Sequence, residues 1–374
     1  MDRPLRVAID ATPLFGIRSG IGRFTEELFA GVSANPAIDS IGYAVTWRGA
    51  ERLEDLLPPG ARPARRRRMA AMPLRWAWAR ADRPHVELWT GPVDVVHGTN
   101  FVVPPTRGAA VVTIHDLTYV RFPQMCTTDV LQYSSLVPRA LQRGAVVHTV
   151  SDFVRGEVLE HYGLPEERVV TVPNGITAGL PGNPTRGGEL VGGPRYLTAI
   201  GTVEPRKDLP GLVRAFDQLA DEDPDVRLAI AGADGWGAEA LSDAVAAARH
   251  RERIVRLGWI DETARADLLA GAIALVLPSH YEGFGLTAGE AMAAGVPVVA
   301  TSVGAIPELV GDAAVLVPPA DVDALAAALS GLLRDDDRRA LLARLGRARS
   351  GTFTWARTVD ALAALWRSVV RNAR

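Results

Sequence analysis

The sequence contains a single cysteine, Cys126, in 374 residues. One cysteine cannot form an internal disulfide framework, so the sequence is typical of a protein of a reducing compartment. The formal net charge is −2, from 41 basic and 43 acidic residues, which argues against a nucleic-acid binder with a strongly basic surface. No apolar run reaches the roughly 18 residues of a membrane span, and the first residues lack the apolar stretch of a signal peptide. We therefore expect a soluble, cytoplasmic protein.

Lysine is also nearly absent, because Lys207 is the single lysine beside 40 arginines. A lysine ammonium is a compact point charge, whereas a guanidinium is a planar fork, so the two are not interchangeable at a binding site. The position of Lys207 is therefore either chance or a place where an ammonium is needed.

What the sequence has in abundance is short runs of Val, Ile and Leu that alternate with helical patterns, as in parallel sheets built from βαβ units. In the first half, strands are predicted at 5–9, 40–46, 93–97, 110–114, 146–150 and 169–172, and helices at 20–32, 129–142 and 152–162. In the second half, strands are predicted at 195–200, 227–231, 254–257, 274–277, 297–300 and 314–317. Helices are predicted there at 208–221, 238–249, 261–270, 286–294 and 322–333.

A stretch rich in glycine and proline, 178–194, separates the halves and is predicted to be a linker. Residues 1–177 and 195–350 are then two doubly wound domains, and such domains bind ligands at the carboxyl ends of their strands. A last helix lies in 351–374 with no strand after it.

Two loops that follow predicted strands carry residue types that bind phosphate. In residues 19–24, Gly20 and Gly22 would let the backbone approach an anion at a helix N-terminus, although a structural turn would look the same. Arg206 and Lys207 lie between a strand and a helix, at the positive end of the helix dipole. Two adjacent cations there are unfavourable unless an anion offsets them, so we predict a diphosphate site.

Carboxylates and a histidine occupy the same kind of position. Glu282 and Glu290 are eight residues apart, one on a glycine-rich loop after a buried strand and one inside the next helix. The loop carboxylate can accept hydrogen bonds from sugar hydroxyls and the helical one can hold a ribose diol. The alternative is that Glu290 is only a charge on the helix surface and that the glycines of the loop only form turns. His115 ends a strand of the first half and is either a core residue or a group that points into a cleft.

In this order, the motifs resemble those of family 4 glycosyltransferases, over nearly the whole chain. The resemblance rests on the Gly-x-Gly at 20–22, the His-Asp at 115–116, the Arg-Lys at 206–207 and the Glu-x7-Glu at 282–290. It implies an α/β architecture called GT-B, two doubly wound Rossmann-like domains facing a central cleft. The acceptor side would be 1–177, the nucleotide-sugar domain 195–350, and the helix in 351–374 would return to the first domain. The segments 10–14 and 19–24 are most similar to bacterial mannosyltransferases of polysaccharide assembly.

The resemblance also implies roles for matching residues. Arg206 and Lys207 would neutralise the donor diphosphate and the departing nucleotide, and Glu290 would hold the ribose hydroxyls. Glu282 would contact the transferred sugar, and His115 would lie beside it. The remaining contacts with the nucleotide sugar are assigned to Gly20, Gly22, Gly283, Phe284, Gly285, Leu286 and Thr287, and a base pocket to 232–235 with Trp259 and Ile260.

The implied reaction retains the configuration of the sugar and uses no metal. No carboxylate takes the nucleophile position of a glycosidase, so the leaving phosphate would accept the acceptor's proton, with electrostatic stabilisation of the leaving group. Acidic triplets at 221–223, 321–323 and 335–337 lie at predicted helix ends, where acids commonly cap, so no metal ligands are assigned. No cofactor is expected, since the nucleotide sugar is a substrate.

The predicted function is transfer of a hexose, with mannose from GDP-mannose preferred, to a glycan or lipid-linked acceptor in cell-surface polysaccharide or glycolipid assembly. One alternative is a transferase that uses a UDP-sugar on a soluble small-molecule acceptor. Others are a nucleotide-sugar epimerase of the same fold and a non-catalytic glycan-binding partner. The last should have lost Glu282 or the cations at 206–207, which this sequence keeps.

Residues 62–90 combine eight arginines with tryptophans and methionines. Basic residues beside tryptophans are typical of segments that meet anionic lipid. The segment is therefore either a peripheral contact with the inner face of the membrane, with Trp76 and Trp78 at headgroup depth, or a solvated loop with a few core anchors. The protein would be cytoplasmic in both cases, and no nucleic-acid partner is expected.

Overall fold

The computed structural model of the chain describes residues 3–16, 20–177 and 181–372. They form two compact units: unit 1 consists of the residues up to Gly175 together with those from Thr354 onward, and unit 2 of Ile176–Phe353. Each unit contains a parallel sheet with helices between strands, so the α/β class predicted from the sequence is confirmed. None of the described helices is long and apolar enough to cross a membrane.

The sheet of unit 1 is doubly wound. Its strands are β1 (Leu5–Asp10), β2 (Ile38–Tyr43), β3 (Arg62–Pro63), β4 (Val95–Gly98), β5 (Ala109–Ile114), β6 (Val146–Thr149) and β7 (Val169–Thr171). In the described residues they pair in parallel in the order β3-β2-β1-β4-β5-β6-β7. The strand order therefore reverses between β1 and β4, and such a switch point is where doubly wound sheets bind ligands.

Helices cover both faces of this sheet, which is why β5, β6 and β7 are mainly apolar. The helices are α1 (Gly20–Ser33), α2 (Leu53–Leu56), α3 (Ala71–Trp78), α4 (Glu87–Thr90), α5 (Thr118–Arg121), α6 (Thr128–Leu131), α7 (Tyr133–Gln142) and α8 (Asp152–Tyr162). The helix α8 has the predicted bounds because both ends are signalled locally. Ser151 accepts a hydrogen bond from Val154 N at 3.1 Å, and Gly163 ends the helix in the left-handed conformation.

The segment 62–90 is partly core. Trp78 is fully buried, and its Nε1 donates a hydrogen bond to Pro84 O at 3.0 Å, so the predicted position of Trp78 at a membrane surface is wrong. Leu74 is buried with it, whereas Met72 and Trp76 are 67% and 63% exposed. The helix α3, which the sequence analysis did not identify, explains the difference, because its two faces have opposite environments.

The sheet of unit 2 is doubly wound in the same way. Its strands are β8 (Tyr196–Ile200), β9 (Arg227–Ala231), β10 (Ile254–Gly258), β11 (Ala274–Leu277), β12 (Val298–Thr301) and β13 (Val315–Val317), in the order β10-β9-β8-β11-β12-β13. Its helices are α9 (Pro184–Val191), α10 (Leu209–Leu219), α11 (Ala238–Ala247), α12 (Glu262–Gly271), α13 (Leu286–Ala294), α14 (Ile306–Val310), α15 (Val322–Arg334) and α16 (Asp336–Ser350). The switch point lies between β8 and β11.

The linker predicted over 178–194 instead contains the helix α9. Asn183 caps this helix, and α9 packs against α12. Two glycines, one before the helix and one inside it, serve close packing: a Cβ on Gly182 would lie 2.0 Å from Ala266 O, and one on Gly187 would lie 2.2 Å from Asp267 O. The glycine content that suggested a linker therefore reflects tight packing at Gly182 and Gly187. Residues 178–180 of the predicted linker lie outside the described residues.

The last helix, α17 (Trp355–Asn372), belongs to unit 1 and packs against α1 and β5. Val359, Leu362, Trp366 and Val369 recur at helical spacing and are all buried. The ring of Trp366 is fully buried and meets the ring of His97 edge to face at 5.6 Å. This helix therefore completes the core of unit 1 from the far end of the chain.

Candidate active site

The loop after β8 carries the predicted diphosphate cations. Gly201 has φ +144°, and a Cβ on it would lie 2.3 Å from Lys207 Nζ, so the ammonium lies directly over the glycine backbone. Asp208 ends the loop and caps α10, accepting a hydrogen bond from Gly211 N at 3.0 Å. In the part of the chain that the structure describes, Lys207 has no ion-pair partner. Its charge is therefore not neutralised by an ion pair within these residues.

Arg206 differs from Lys207, because its guanidinium already contacts groups of the chain. It donates hydrogen bonds to Tyr281 O and Glu204 Oε1, both at 2.5 Å, and lies 3.0 Å from Glu282 Oε1. The cost of adjacent cations at a helix N-terminus, which suggested a bound diphosphate, is thus partly offset by Glu204 and Glu282. Arg206 ties the loop after β8 to the loop after β11.

Glu282 lies on the loop between β11 and α13 and is only 8% exposed. Its Oε1 accepts a hydrogen bond from Ser279 Oγ at 2.8 Å. Burial alone would raise the pKa of Glu282, but the charges of Arg206 and Lys207, with the Ser279 hydroxyl, hold it below its usual value. Glu282 is therefore an ionised hydrogen-bond acceptor at neutral pH, and the structure brings it together with Arg206 and Lys207 as the sequence predicts.

The helix α13 begins directly after the glycine-rich loop. Gly285 precedes it with φ +96°, and no side chain among the described residues caps it. Its first backbone N–H groups, at Leu286 and Thr287, therefore belong to an uncapped helix N-terminus beside the cationic loop. Gly283 and the buried Phe284 complete the predicted segment.

Glu290 lies one turn inside α13 and forms an ion pair with Arg265 of α12. Their side chains are 12% and 18% exposed. The sequence analysis singled out Glu290 but missed Arg265, since nothing in sequence spacing links residues 25 positions apart on different helices.

The predicted base pocket is formed by the loops after β9 and β10. Gly232 N donates a hydrogen bond to Gly258 O at 2.7 Å, which joins the two loops. Trp259 is 62% exposed and Ile260 is half-buried. An exposed tryptophan beside closely packed glycines leaves backbone groups and an aromatic face available to a flat ligand.

The predicted residues of unit 1 lie at the carboxyl edge of its sheet or beside it. Gly20 begins α1 and is exposed, whereas Gly22 is buried; residue 19 of that segment lies outside the described residues. His115 follows β5, is 8% exposed, and its Nε2 donates to Thr99 O at 2.8 Å. Burial lowers the pKa of His115. The ring is thus neutral, with Nδ1 as the acceptor nitrogen.

A buried carboxyl at the end of β1 was not assigned a role from the sequence. Asp10 is 3% exposed and accepts hydrogen bonds from Thr12 N at 2.9 Å and Thr12 Oγ1 at 2.5 Å. Burial raises the pKa of Asp10 to about 6, although the Thr12 bonds and the charge of Arg75 act in the opposite direction.

Asp10 belongs to a polar cluster at the switch point of unit 1, which we call the Asp10 cluster: Asp10, Tyr43, Arg75, Asn100 and Tyr133. Three of its atoms, Tyr43 Oη, Arg75 Nε and Asn100 Oδ1, are buried with no hydrogen-bond partner in the described residues. Burial raises the pKa of Tyr133. The charges of Arg75 and Asp10 and a hydrogen bond with Asn100 also affect this pKa, so the side chains of the cluster interact with one another. Unpaired buried polar atoms are unfavourable, and a polar ligand at this place would satisfy them.

No group of three or more His, Cys, Asp or Glu side chains within residues 3–16, 20–177 and 181–372 is arranged to hold a metal ion.

Comparison with known families gives two matches that together span most of the chain. The model described as "Glycosyltransferase Family 4" matches residues 19–179, and that described as "Glycosyl transferases group 1" matches residues 186–349. The matches divide the chain near the boundary between the two units.

Individual proteins to which the chain is similar are also glycosyltransferases. The chain is 33% identical over 292 residues to O-antigen chain mannosyltransferase B of Escherichia coli, covering 76% of this chain and 74% of that protein. It resembles the crystal structure of WaaG, a glycosyltransferase involved in lipopolysaccharide biosynthesis, with a TM-score of 0.75, 18% identity and coverage of 96% and 99%. It also resembles HepE of Anabaena in complex with UDP and glucose, with a TM-score of 0.75, 18% identity and coverage of 97% and 100%. These structural likenesses confirm the predicted GT-B fold.

Replacing Asp10 with asparagine tests the burial of this carboxyl. A carboxyl with a folded pKa of about 6 stabilises the fold below its unfolded value of 3.8 and loses that contribution as pH rises through about 6. Asparagine keeps the acceptor for Thr12 without the charge. Between about pH 4 and 7, the unfolding free energy of Asp10→Asn should therefore rise relative to wild type by on the order of 2–3 kcal/mol.

Urea unfolding at several pH values measures this difference. Asp55→Asn removes an exposed carboxyl of unit 1 and should leave the pH dependence unchanged. Parallel pH curves for Asp10→Asn and wild type would contradict the assignment.

Proposed function

Because the chain belongs to the glycosyltransferases of group 1 and family 4, we propose that it transfers mannose from GDP-mannose with retention to a glycan or lipid-linked acceptor. The reaction would serve cell-surface polysaccharide or glycolipid assembly in a bacterial cytoplasm. The similarity to an O-antigen chain mannosyltransferase supports this sugar and this class of acceptor. The observation that carries donor binding is Lys207, a cation without an ion-pair partner among the described residues, held beside an ionised Glu282.

The donor diphosphate would bind where Lys207 and the uncapped N-terminus of α13 meet the carboxyl edge of the sheet of unit 2. The ammonium supplies a full positive charge, and the backbone N–H groups of Leu286 and Thr287 supply hydrogen bonds. Arg206 contributes less directly, because its guanidinium is bonded to Glu204, Tyr281 and Glu282. Its charge keeps Glu282 ionised and adds to the positive potential.

Glu282 would accept a hydrogen bond from a hydroxyl of the transferred hexose. Its Oε1 is held by Ser279 and Arg206, so Glu282 is suited to fixing the sugar rather than to attacking it. In the proposed reaction the bond between the anomeric carbon and the phosphate oxygen breaks. The acceptor oxygen bonds to the same face of that carbon, and its proton passes to the departing phosphate. Lys207 and the N–H groups of α13 stabilise the charge that develops on that phosphate.

The acceptor would bind unit 1 at the Asp10 cluster. Its unpaired atoms include a donor, Arg75 Nε, an acceptor, Asn100 Oδ1, and a hydroxyl that can serve as either, Tyr43 Oη. Such a mixture suits a saccharide, whose hydroxyls both donate and accept. The neutral His115, with Nδ1 as acceptor, lies at the same edge of the sheet and would accept from a sugar hydroxyl.

A surface of unit 1 is proposed to contact an anionic bilayer, which would bring a lipid-linked acceptor to the enzyme. Trp47, Met72 and Trp76 are each more than half exposed. Arg68 lies over the ring of Trp47 at 5.5 Å, and Arg80 over that of Trp76 at 4.6 Å. Exposed aromatic side chains with adjacent arginines have the chemistry of an interfacial contact.

Thermal denaturation with a panel of nucleotide sugars tests the donor. GDP-mannose is expected to raise the melting temperature more than GDP-glucose, UDP-glucose, ADP-glucose or dTDP-glucose, because a ligand that binds the folded state stabilises it by mass action. Excess EDTA should leave the shift unchanged, since no metal is proposed. A larger shift with UDP-glucose would favour the UDP-sugar alternative, which the likeness to HepE in complex with UDP and glucose supports. A shift that appears only with added magnesium or manganese would overturn metal independence.

Replacing Lys207 with alanine should reduce donor turnover more than tenfold with the fold intact. A charge-assisted contact contributes about 1.5–3 kcal/mol, and no other lysine is present to replace it. Donor hydrolysis and transfer rates measure the effect. Arg214→Ala, which removes an exposed cation from α10, serves as the matched control and should keep wild-type rates. Unchanged turnover in a folded Lys207→Ala variant would refute the phosphate assignment.

Liposome flotation tests the membrane contact. The protein should float with anionic but not neutral vesicles, since each juxtamembrane cation contributes about 1 kcal/mol at an anionic surface. Replacing residues 65–68 with serine should abolish flotation. A control in which four exposed arginines of unit 2 become serine, namely Arg214, Arg251, Arg338 and Arg344, changes net charge equally and should still float. Equal recovery in the soluble fraction with both vesicle types would leave an enzyme that acts on a soluble acceptor.

A further inference from the structure

An arginine that no sequence motif marks lies against the carboxylate proposed to hold the ribose. Arg265 on α12 forms an ion pair with Glu290 on α13, and both side chains are largely buried, at 18% and 12% exposed. A second carboxylate, that of Glu262, lies 3.9 Å from Arg265 but is 54% exposed. The ion pair of Arg265 that is largely buried from solvent is therefore the one with Glu290.

The position of Arg265 is fixed by its own helix. Asp261 caps α12, accepting a hydrogen bond from Ala264 N at 2.8 Å, and its carbonyl accepts from Arg265 N at 2.9 Å. The next turn of α12 buries Leu268 and Leu269 in unit 2. The helix α12 begins directly after the loop of Trp259 and Ile260, so Arg265 lies one turn into the helix that follows the predicted base loop.

The chemistry of the pair decides what Arg265 does. A carboxylate that is mostly buried is costly as an anion unless a cation compensates it, and a guanidinium fixes its orientation. An ionised carboxylate has about four acceptor positions, so it can bind a guanidinium and a vicinal diol together. Without Arg265, the side chain of Glu290 would rotate more freely, and a carboxylate without a fixed orientation binds a diol less tightly.

We propose that Arg265 is a positioning residue for the nucleotide, holding the carboxylate of Glu290 in the orientation that receives the 2′- and 3′-hydroxyls of the donor ribose. The proposal rests on the proposed function, a nucleotide-sugar transfer, and on the role that the family resemblance implies for Glu290, which is to bind that ribose. The proposal predicts that replacing Arg265 lowers the binding affinity only of ligands that carry the ribose hydroxyls.

Calorimetry with two probes, GDP and its 2′,3′-dideoxy analogue, tests this prediction. Wild type should bind GDP at least tenfold more tightly than the analogue. In Arg265→Ala, the affinity for GDP should fall about tenfold, whereas the affinity for the analogue should stay within about twofold. Glu290→Gln should behave like Arg265→Ala. Glu262→Gln, which removes the exposed carboxylate near Arg265, is the matched control and should keep the full preference for GDP.

Arg265→Lys guards against loss of folding, because it keeps the charge and most of the side-chain volume. Its preference for GDP should lie between those of wild type and Arg265→Ala, and a preference no greater than that of the alanine variant would overturn the proposal. A full preference in Arg265→Ala would overturn it as well. If wild type itself does not distinguish the two probes, the assignment of Glu290 to the ribose fails instead, which separates the two failures.

Discussion

The carboxylate of Glu282 is buried, and a buried anion is tolerated only where cations and hydrogen-bond donors surround it. Arg206 and Lys207 provide that environment from the loop after β8, and Ser279 provides it from the loop after β11. Because the anion and its cations lie on different loops, their contacts join the carboxyl ends of β8 and β11, the two strands on either side of the switch point of unit 2. The same contacts that stabilise the anion therefore place the cation of Lys207 and the N-terminus of α13 at the carboxyl edge of the sheet.

Much of this arrangement could be predicted because its signals are local. Strands β9 and β11 and helices α8 and α13 have the predicted bounds, since apolar runs, caps and glycines mark them directly. Other features depend on partners distant in sequence. Gly187 is required by the approach of α12, and Arg265 acquires its meaning from Glu290, so neither could be interpreted from its own neighbours. The buried and exposed faces of α3 likewise depend on the packing of Trp78 into the core of unit 1, which its sequence neighbours do not indicate.

Whereas neighbouring cations outweigh burial and lower the pKa of Glu282 in unit 2, burial decides the pKa shifts of the buried histidines and Asp10 in unit 1. Its buried histidines are neutral: His97 and His148 share hydrogen bonds with Thr113, and burial lowers the pKa of His148 to about 4. Asp10, in contrast, is buried with a raised pKa and near atoms that lack partners. A fold selected for stability alone would replace such a group by an apolar one. The unpaired polar atoms at the switch point are therefore the observation on which the proposed acceptor site rests.

The helix α17 gives the chain an order of folding that differs from its order of synthesis. Unit 2 is continuous in sequence, from Ile176 to Phe353, and can close its core as soon as it leaves the ribosome. Unit 1 is begun first, yet the apolar surface of α1 and β5 stays open to water until Val359, Leu362 and Trp366 have been made. Unit 1 is therefore the last of the two units to become complete, and a nascent chain cannot hold its finished core until α17 has been synthesised.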